Sequence, residues 1–215
     1  YRIIGVFDNK VGENQTEQRV KLIKSTSIGK SKWDSNDKNT WSTSTLNTYL
    51  NNVFITTFDE PTKGKIAETT WKVGGNTKAN IQNQPVKTAY QNEIVNPVTI
   101  NTTDNATTYS AKVGLMYASD YGFAASPSAW TSTLYYYDGE AIKSANWMYL
   151  GIYEWTLSRA ADSSNEAFGV YADGYVIDDF NSVTLPRDVR PVFYLSSSVT
   201  YVEGDGTQSS PMRIN

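Results

Sequence analysis

Residues 189–195 read Val-Arg-Pro-Val-Phe-Tyr-Leu, or VRPVFYL. At a period of two, Val189, Pro191, Phe193 and Leu195 share one face, the pattern of a buried strand. Arg190 then points to the opposite face. A guanidinium inside an apolar strand needs a partner, so a carboxylate or backbone carbonyl is expected against it. Pro191 cannot donate to a ladder and predicts a sheet edge or a bulge. The preceding tract, Tyr175–Asp188 (YVIDDFNSVTLPRD), follows no period at all. A well-patterned strand directly after a patternless tract is the contrast to be explained.

Immediately upstream, Ala167–Val176 (AFGVYADGYV) carries a hairpin signal at Asp173-Gly174. A two-residue loop would pair Ala172 with Tyr175 and put Val170 and Val176 on opposite faces. A three-residue loop, Ala172–Gly174 with a left-handed glycine, pairs Tyr171 with Tyr175 instead. Phe168, Val170 and Val176 then share an apolar inner face, so this register is preferred. Tyr171, Tyr175 and Ile177 project from the other face, either as a contact surface or as a second packed layer.

Working toward the N-terminus, Tyr1–Phe7 reads as a strand, Asp8–Arg19 as a loop and Val20–Lys24 as a second strand. Leu46, Tyr49, Leu50, Val53 and Phe54 have helical spacing, with Ser42 as N-cap and Trp41 stapled onto Leu46. A second helix is predicted over Pro61–Trp71, capped by Asp59 and ended by Gly74-Gly75. Asn76–Ser110 reads as irregular loop with short strands. Strands follow at Lys112–Tyr117, Trp147–Leu157, Ala167–Tyr171, Tyr175–Ile177, Val189–Leu195 and Met212–Ile214. The expected fold is a single α+β domain over 1–215: two helices, a small, mainly antiparallel sheet and adjacent termini, with Tyr1–Phe7 near Met212–Ile214.

The chain contains no histidine and no cysteine, which excludes His bases, Ser-His-Asp triads, thiolate nucleophiles, disulfides and Cys-ligated metals. A net charge of −3 without a basic stripe argues against nucleic acid. Lys21, Lys24, Lys30 and Lys32 read as a solvated cluster. No apolar run reaches membrane-spanning length. The chain opens abruptly at a strand, so a signal, anchor or further domain is an allowed addition before it. Glu154 and Glu166 are the candidate pair for carboxylate-dependent glycan chemistry. Asp178-Asp179 and Glu203/Asp205 are candidate Ca²⁺ ligands without Ca²⁺-loop spacing, and turn acids are the simpler reading. A Lys–Asn isopeptide crosslink would be an alternative staple in a cysteine-free surface protein, but nothing in the sequence identifies one.

Six motifs in order carry a resemblance over nearly the whole chain: WSTSTLNTYLN (41–51), VGLMYASDYGFAAS (113–126), EWTLSR (154–159), AFGVYADGYV (167–176), VRPVFYL (189–195) and GDGTQSSP (204–211). Together they resemble the C-type-lectin-like, formylglycine-generating-enzyme-like surface domains of bacteria, phages and archaeal viruses. The resemblance implies the compact C-type lectin fold. It does not carry over the formylglycine-generating activity, which needs cysteines. NQP (83–85) and WDSND (33–37) fall too early for the Ca²⁺-dependent sugar site of C-type lectins, and the Cys pair that relatives often carry around Trp130–Asn146 is missing.

The subgroup most similar is the variable proteins of diversity-generating retroelements, in which adenine-directed mutagenesis rewrites Asn codons. Such codons cannot become Lys, Glu, Gln, Met or Trp. Tyr175–Asp188 contains none of these five, and neither does Arg159–Asn165. The resemblance therefore implies a ligand-binding protein with a varied contact face. That face would comprise Arg159, Ala160, Ala161, Asp162, Tyr171, Tyr175, Ile177, Asp178, Asp179, Phe180, Asn181, Val183, Leu185 and Arg187. The expected partner is a protein or glycan on a target surface, without cofactor, metal or nucleic acid, with oligomers allowed. The expected location is extracellular, on a cell or virion surface. The alternatives are a non-varied adhesin module of the same fold and a carboxylate-dependent glycan-active enzyme.

Overall fold

The computed structural model describes residues 1–13, 15–98, 106–178 and 182–215. Among these, the strands and helices run β1 (Arg2–Gly12), β2 (Gln15–Ile23), β3 (Lys30–Ser31), α1 (Thr45–Asn52), α2 (Glu60–Lys65), β4 (Thr69–Lys72), α3 (Lys78–Asn83) and α4 (Val86–Tyr90). They continue with β5 (Thr108–Ala111), β6 (Val113–Gly114), α5 (Ala118–Phe123), α6 (Glu140–Ala145), β7 (Glu154–Arg159), β8 (Ala167–Val170), β9 (Val176–Ile177), β10 (Arg187–Asp188), β11 (Val192–Tyr194), β12 (Tyr201–Glu203) and β13 (Arg213–Ile214). The sheets are β1-β2-β11-β6, β3-β10-β7-β8-β9, and the two pairs β12-β13 and β4-β5. Pairing is antiparallel except between β10 and β7. The architecture is thus α+β with small, mainly antiparallel sheets, and with six α-helices rather than the two expected.

One core serves both larger sheets. Ile23, Val113 and Val192 from the first meet Trp155, Leu157, Phe168, Val170 and Val176 from the second, with Leu46 and Leu50 of α1 and Val86 of α4 closing over them. Helix α1 is capped by Ser44, whose hydroxyl accepts from Asn47 N, and not by Ser42. Its buried stripe is narrower than predicted, because Tyr49 and Val53 face solvent. Asn51 makes good the loss: its side chain donates to Val113 O and accepts from Val113 N at 2.9 Å each, fixing β6 to the helix. Asp59 caps α2 as expected, accepting from Thr62 N. The helix stops at Lys65 because the next residues join a sheet edge: Ile66 bridges Leu195, and Ala67 N donates to Tyr194 O. Trp71, predicted on that helix, lies in β4.

Three other expectations are corrected. Asp8–Arg19 is not a loop: β1 runs to Gly12 and β2 resumes at Gln15, in register Val6↔Val20 and Asn9↔Glu17. Polar side chains there reflect a hairpin exposed to water, not the absence of a ladder. Asn76–Ser110 contains α3, α4 and a π-helical turn at Gln91–Val95, too short individually to show a period. The strand predicted at Lys112–Tyr117 is only β6, followed by α5, while β7 begins later than predicted, at Glu154. The sheet does not close through the termini, since β1 pairs with β2 and β13 with β12.

The stretch 189–195 forms β11 between β2 and β6, with Phe193 opposite Leu22 and Val113. It is an interior strand, not an edge. Pro191 is tolerated because it stands just before the first ladder residue, where its carbonyl accepts from Lys24 N at 3.0 Å. The single apolar face divides: Val189, Val192 and Tyr194 join the main core, whereas Phe193 and Leu195 form a satellite cluster with Ile66.

Arg190 has the partners its position demands. Its Nε and a terminal nitrogen donate to the two carboxylate oxygens of Glu154 at 2.6 Å each, and that nitrogen also donates to Met148 O at 2.8 Å. Both side chains are buried, at 2% and 1% exposure, so each charge depends on the other for solvation. Arg190→Ala would leave the Glu154 carboxylate buried and unpaired. The expected loss is about 3–5 kcal/mol in urea-induced unfolding, with a smaller loss for Arg190→Lys, which keeps the charge but not the fork.

Candidate ligand-contact site

The hairpin between β8 and β9 adopts the predicted three-residue loop. Val170 pairs with Val176, Tyr171 N donates to Tyr175 O at 2.9 Å, and Gly174 has φ of 102°. A Cβ on Gly174 would lie 2.9 Å from Tyr137 O, so space as well as φ requires glycine. Two tyrosines anchor the tip from below: Tyr121 donates to Gly174 O at 2.8 Å and Tyr149 to Ala172 O at 2.6 Å.

This register sets the rings of Tyr171 and Tyr175 in a stack, 4.8 Å apart and 18° from parallel. The stack is extended at both ends. Tyr153, just before β7, meets Tyr171 edge-on at 4.9 Å. Tyr135, in the short 3-10 turn Leu134–Tyr136, lies 6.1 Å from Tyr175, and Tyr136 meets Tyr135 at 5.2 Å. Arg187 lies 5.1 Å from the Tyr153 ring and 6.0 Å from Tyr171. The result is a row, Tyr136–Tyr135–Tyr175–Tyr171–Tyr153, finished by a guanidinium. Tyr136 is 63% exposed and Tyr135 and Tyr153 each 38%. Asp138 and Asp173 bring negative charge to the Tyr175 end. Burial raises the Tyr171 hydroxyl, a shift that Arg187 opposes, so the phenol is neutral and a donor at neutral pH.

The predicted contact residues divide. Tyr171, Tyr175 and Arg187 belong to this row, and Leu185 is exposed. Arg159, Ala160, Ala161, Ile177 and Val183 do not: their side chains are buried. β7, predicted to end at Leu157, continues to Arg159, and Asn76 binds on either side of it, its N–H to Arg159 O and its carbonyl to Ala161 N. Ile177 is covered by packing of α3 and the 134–136 turn on β9. Asp162 is exposed, but its carboxylate accepts from Lys78 N at 3.1 Å, at the start of α3. Asp178 is buried. Asp179, Phe180 and Asn181 lie outside the described residues.

Sequence reasoning missed Tyr135, Tyr136 and Tyr153. A signal existed in the run Tyr135-Tyr136-Tyr137, since only one ring of three successive residues enters the core; Tyr137 does so, donating to Gly122 O and Ala129 O. It also missed the support supplied by the 34–39 loop. Asn39 donates to Ala160 O, Ser163 O and Glu166 O, and Asp37 accepts from Asn165 and Ser182. Lys21, predicted on a solvated face, is buried. Among the described residues no group of three or more acidic side chains is placed to hold a metal ion. Asp205 is a turn acid, accepting from Thr207 N at 2.9 Å.

A family model described as a domain of unknown function, DUF6273, matches residues 17–197. The chain belongs to the DUF6273 family. No curated protein and no solved structure matches the chain. The DUF6273 match takes in the whole tyrosine row, Arg187 and the Glu154–Arg190 pair, and leaves out β1, β12 and β13.

In the DUF6273 domain, just after β9, burial pushes the Asp178 carboxyl up to about 6, with Glu166 and Asp162 adding to the shift and Lys78 opposing it. Its Oδ1 is buried and has no hydrogen-bond partner among the described residues. The folded state therefore holds a proton that the unfolded chain releases near 3.8. Stability from this group is present below that value and is lost as pH rises toward 6 and beyond. Urea unfolding as a function of pH should show a fall on the order of 2 kcal/mol across that window, and Asp178→Asn should flatten it.

Proposed function

We propose that this domain is a ligand-binding module, and that the row of five tyrosines ending in Arg187 is its contact face. The carrying observation is the row of mutually packed rings, half-buried Tyr171 and Tyr175 on a hairpin held from beneath and exposed Tyr135, Tyr136 and Tyr153 beside them. Flat faces, neutral phenol hydroxyls, a guanidinium and two flanking acids suit a glycan or protein ligand, through stacking and directed hydrogen bonds. Ordered rings lose little rotamer freedom on binding. The same proposal includes a C-type-lectin-like fold and display on a cell or virion surface.

Retroelement diversification, within this proposal, applies to the accessible positions Tyr171, Tyr175, Leu185 and Arg187. The burial of Ala160, Ala161, Ile177 and Val183 inside the expected variable tracts favours a second reading, a non-varied adhesin module with the same contact face. A reverse-transcriptase gene beside a near-copy of the 155–195 coding segment, differing only at adenines, would select the first reading. A glycan-active enzyme built on Glu154 is disfavoured, because that carboxylate is spent on Arg190.

The binding test is a glycan array together with a displayed surface-protein library. Tyr171→Ala and Tyr175→Ala should each cost about 2 kcal/mol of affinity, roughly thirtyfold, while Tyr201→Ala, an exposed tyrosine on β12, should change nothing. Equal binding by all three variants would sink the proposal.

A further inference from the structure

The second buried charge pair lies outside the contact face. Lys21, on β2 between β1 and β11, is 1% exposed, and Asp120, on α5, is 8% exposed. Their Nζ and Oδ2 atoms are 2.5 Å apart across 99 residues of sequence. Four rings surround the nitrogen, with Tyr117 at 4.4 Å, Phe7 at 5.4 Å, Tyr194 at 5.6 Å and Trp71 at 5.9 Å from their centroids. The same Asp120 oxygen accepts from Tyr117 N at 2.8 Å.

A second carboxyl lies near them. Glu93, in the π-helical turn, is 1% exposed. Its oxygens accept from Ser119 N, one residue before Asp120, at 3.1 Å and from Ser158 Oγ at 2.6 Å. Burial pushes it up to about 7, against its bonds to Ser119 and Ser158 and with Asp120 adding to the rise. It can therefore both hold and release a proton near neutral pH. Burial opposes the Lys21 ammonium, but Asp120 and the Tyr194 phenol outweigh it, so the pair rests as ammonium and carboxylate.

We propose that Lys21 and Asp120 join in an intramolecular isopeptide bond. Three features favour bond formation over a resting ion pair. Amine and carboxyl are held in contact, which replaces a bimolecular encounter with a unimolecular step. The aromatic walls exclude the water that would reverse the reaction. The product, a neutral amide, removes two buried charges. The donor from Tyr117 N polarises the Asp120 carboxyl and stabilises negative charge developing on its oxygen.

The step balances within the pair. The ammonium yields a proton to the carboxylate, the free amine attacks Cγ, and an N–C bond forms. One C–O bond then breaks, and the departing oxygen leaves as water with two of the three ammonium protons. Glu93, bonded to the residue before Asp120, is the candidate carrier of one of them. No oxidant, metal or activated donor is required. The bond would tie the central β2 strand to α5 in a chain that has no cysteine for disulfides.

Intact mass spectrometry of the denatured protein tests this. The expected mass is one water below that of the sequence, and the full sequence mass would overturn the proposal. Tandem spectra of a digest should give a branched peptide joining Lys21 to Asp120. A dehydrated but linear peptide, such as a succinimide elsewhere, would equally overturn it. Lys21→Arg keeps the positive charge without the amine and should return the full mass. A Lys21→Arg chain that still lacks one water would show that the loss occurs elsewhere and would end the proposal.

Discussion

The Glu154–Arg190 pair is the constraint on which the rest of the molecule depends. Glu154 opens β7 in the five-stranded sheet, Arg190 lies two residues before β11 in the four-stranded sheet, and Met148 O comes from the segment between α6 and β7. Three separate parts of the chain thus meet at one guanidinium. Burying both charges is costly, and only a bidentate geometry with the remaining donor satisfied recovers that cost. The pair therefore tolerates one arrangement of the two sheets and penalises neighbouring ones. Its net contribution against an apolar pair is small; what it adds is a penalty for any arrangement that separates the two charges.

The tyrosine row follows from that arrangement. With Arg190 fixed, Asp188 is drawn alongside β7, where its N–H donates to Tyr153 O at 2.7 Å. Arg187, one residue earlier, comes to rest over the Tyr153 ring. Trp155 Nε1 donates to Ser31 O at 3.0 Å and ties β3 to the same strand. On the other side of β7, β8 carries the hairpin that stacks Tyr171 on Tyr175. The buried clamp and the exposed row are two faces of one sheet, so a change at Arg190 reaches the contact face without touching it.

How much of this was legible in the sequence depended on whether the deciding partner was local. The 171–175 hairpin register was readable because Asp173-Gly174 and the alternation of Phe168, Val170 and Val176 lie within ten residues. The Asp59 cap was readable for the same reason. Arg190 was readable in kind, because a charge in an apolar strand demands a partner, although Glu154 as that partner was not. The end of α2 was hidden because it is set by Leu195, far along the chain. Lys21 was misread as solvated because the rings around it come from β1, β4, β11 and the residue before α5. In the tyrosine row, Tyr171 and Tyr175 were legible through local pattern, whereas Arg187 entered only through the resemblance. Val183 and Ala160 were misplaced because absence of period was read as exposure, whereas irregular backbone can be buried when side chains such as Asn39 satisfy its carbonyls.

The two buried charge pairs act on the same stretch, 189–195, from opposite ends. Arg190 pins its entry. Tyr194, near its exit, pairs across the ladder with Lys21, and its ring forms one wall of the lysine cage. Their chemistry differs in a way that follows from the side chains alone. A guanidinium stays protonated and is a poor nucleophile, so the Glu154 pair is inert and can only hold position. A lysine amine becomes a nucleophile once its proton passes to a neighbouring carboxylate, so on the proposal above the Lys21 pair can react where the Glu154 pair cannot. An interior strand pinned through Arg190 at its entry and packed through Tyr194 against Lys21 at its exit cannot slip by one residue without breaking both contacts. That rigidity is what the proposed contact face would require: both buried charge pairs are held inward, and the tyrosine row with Arg187 lies on the other side.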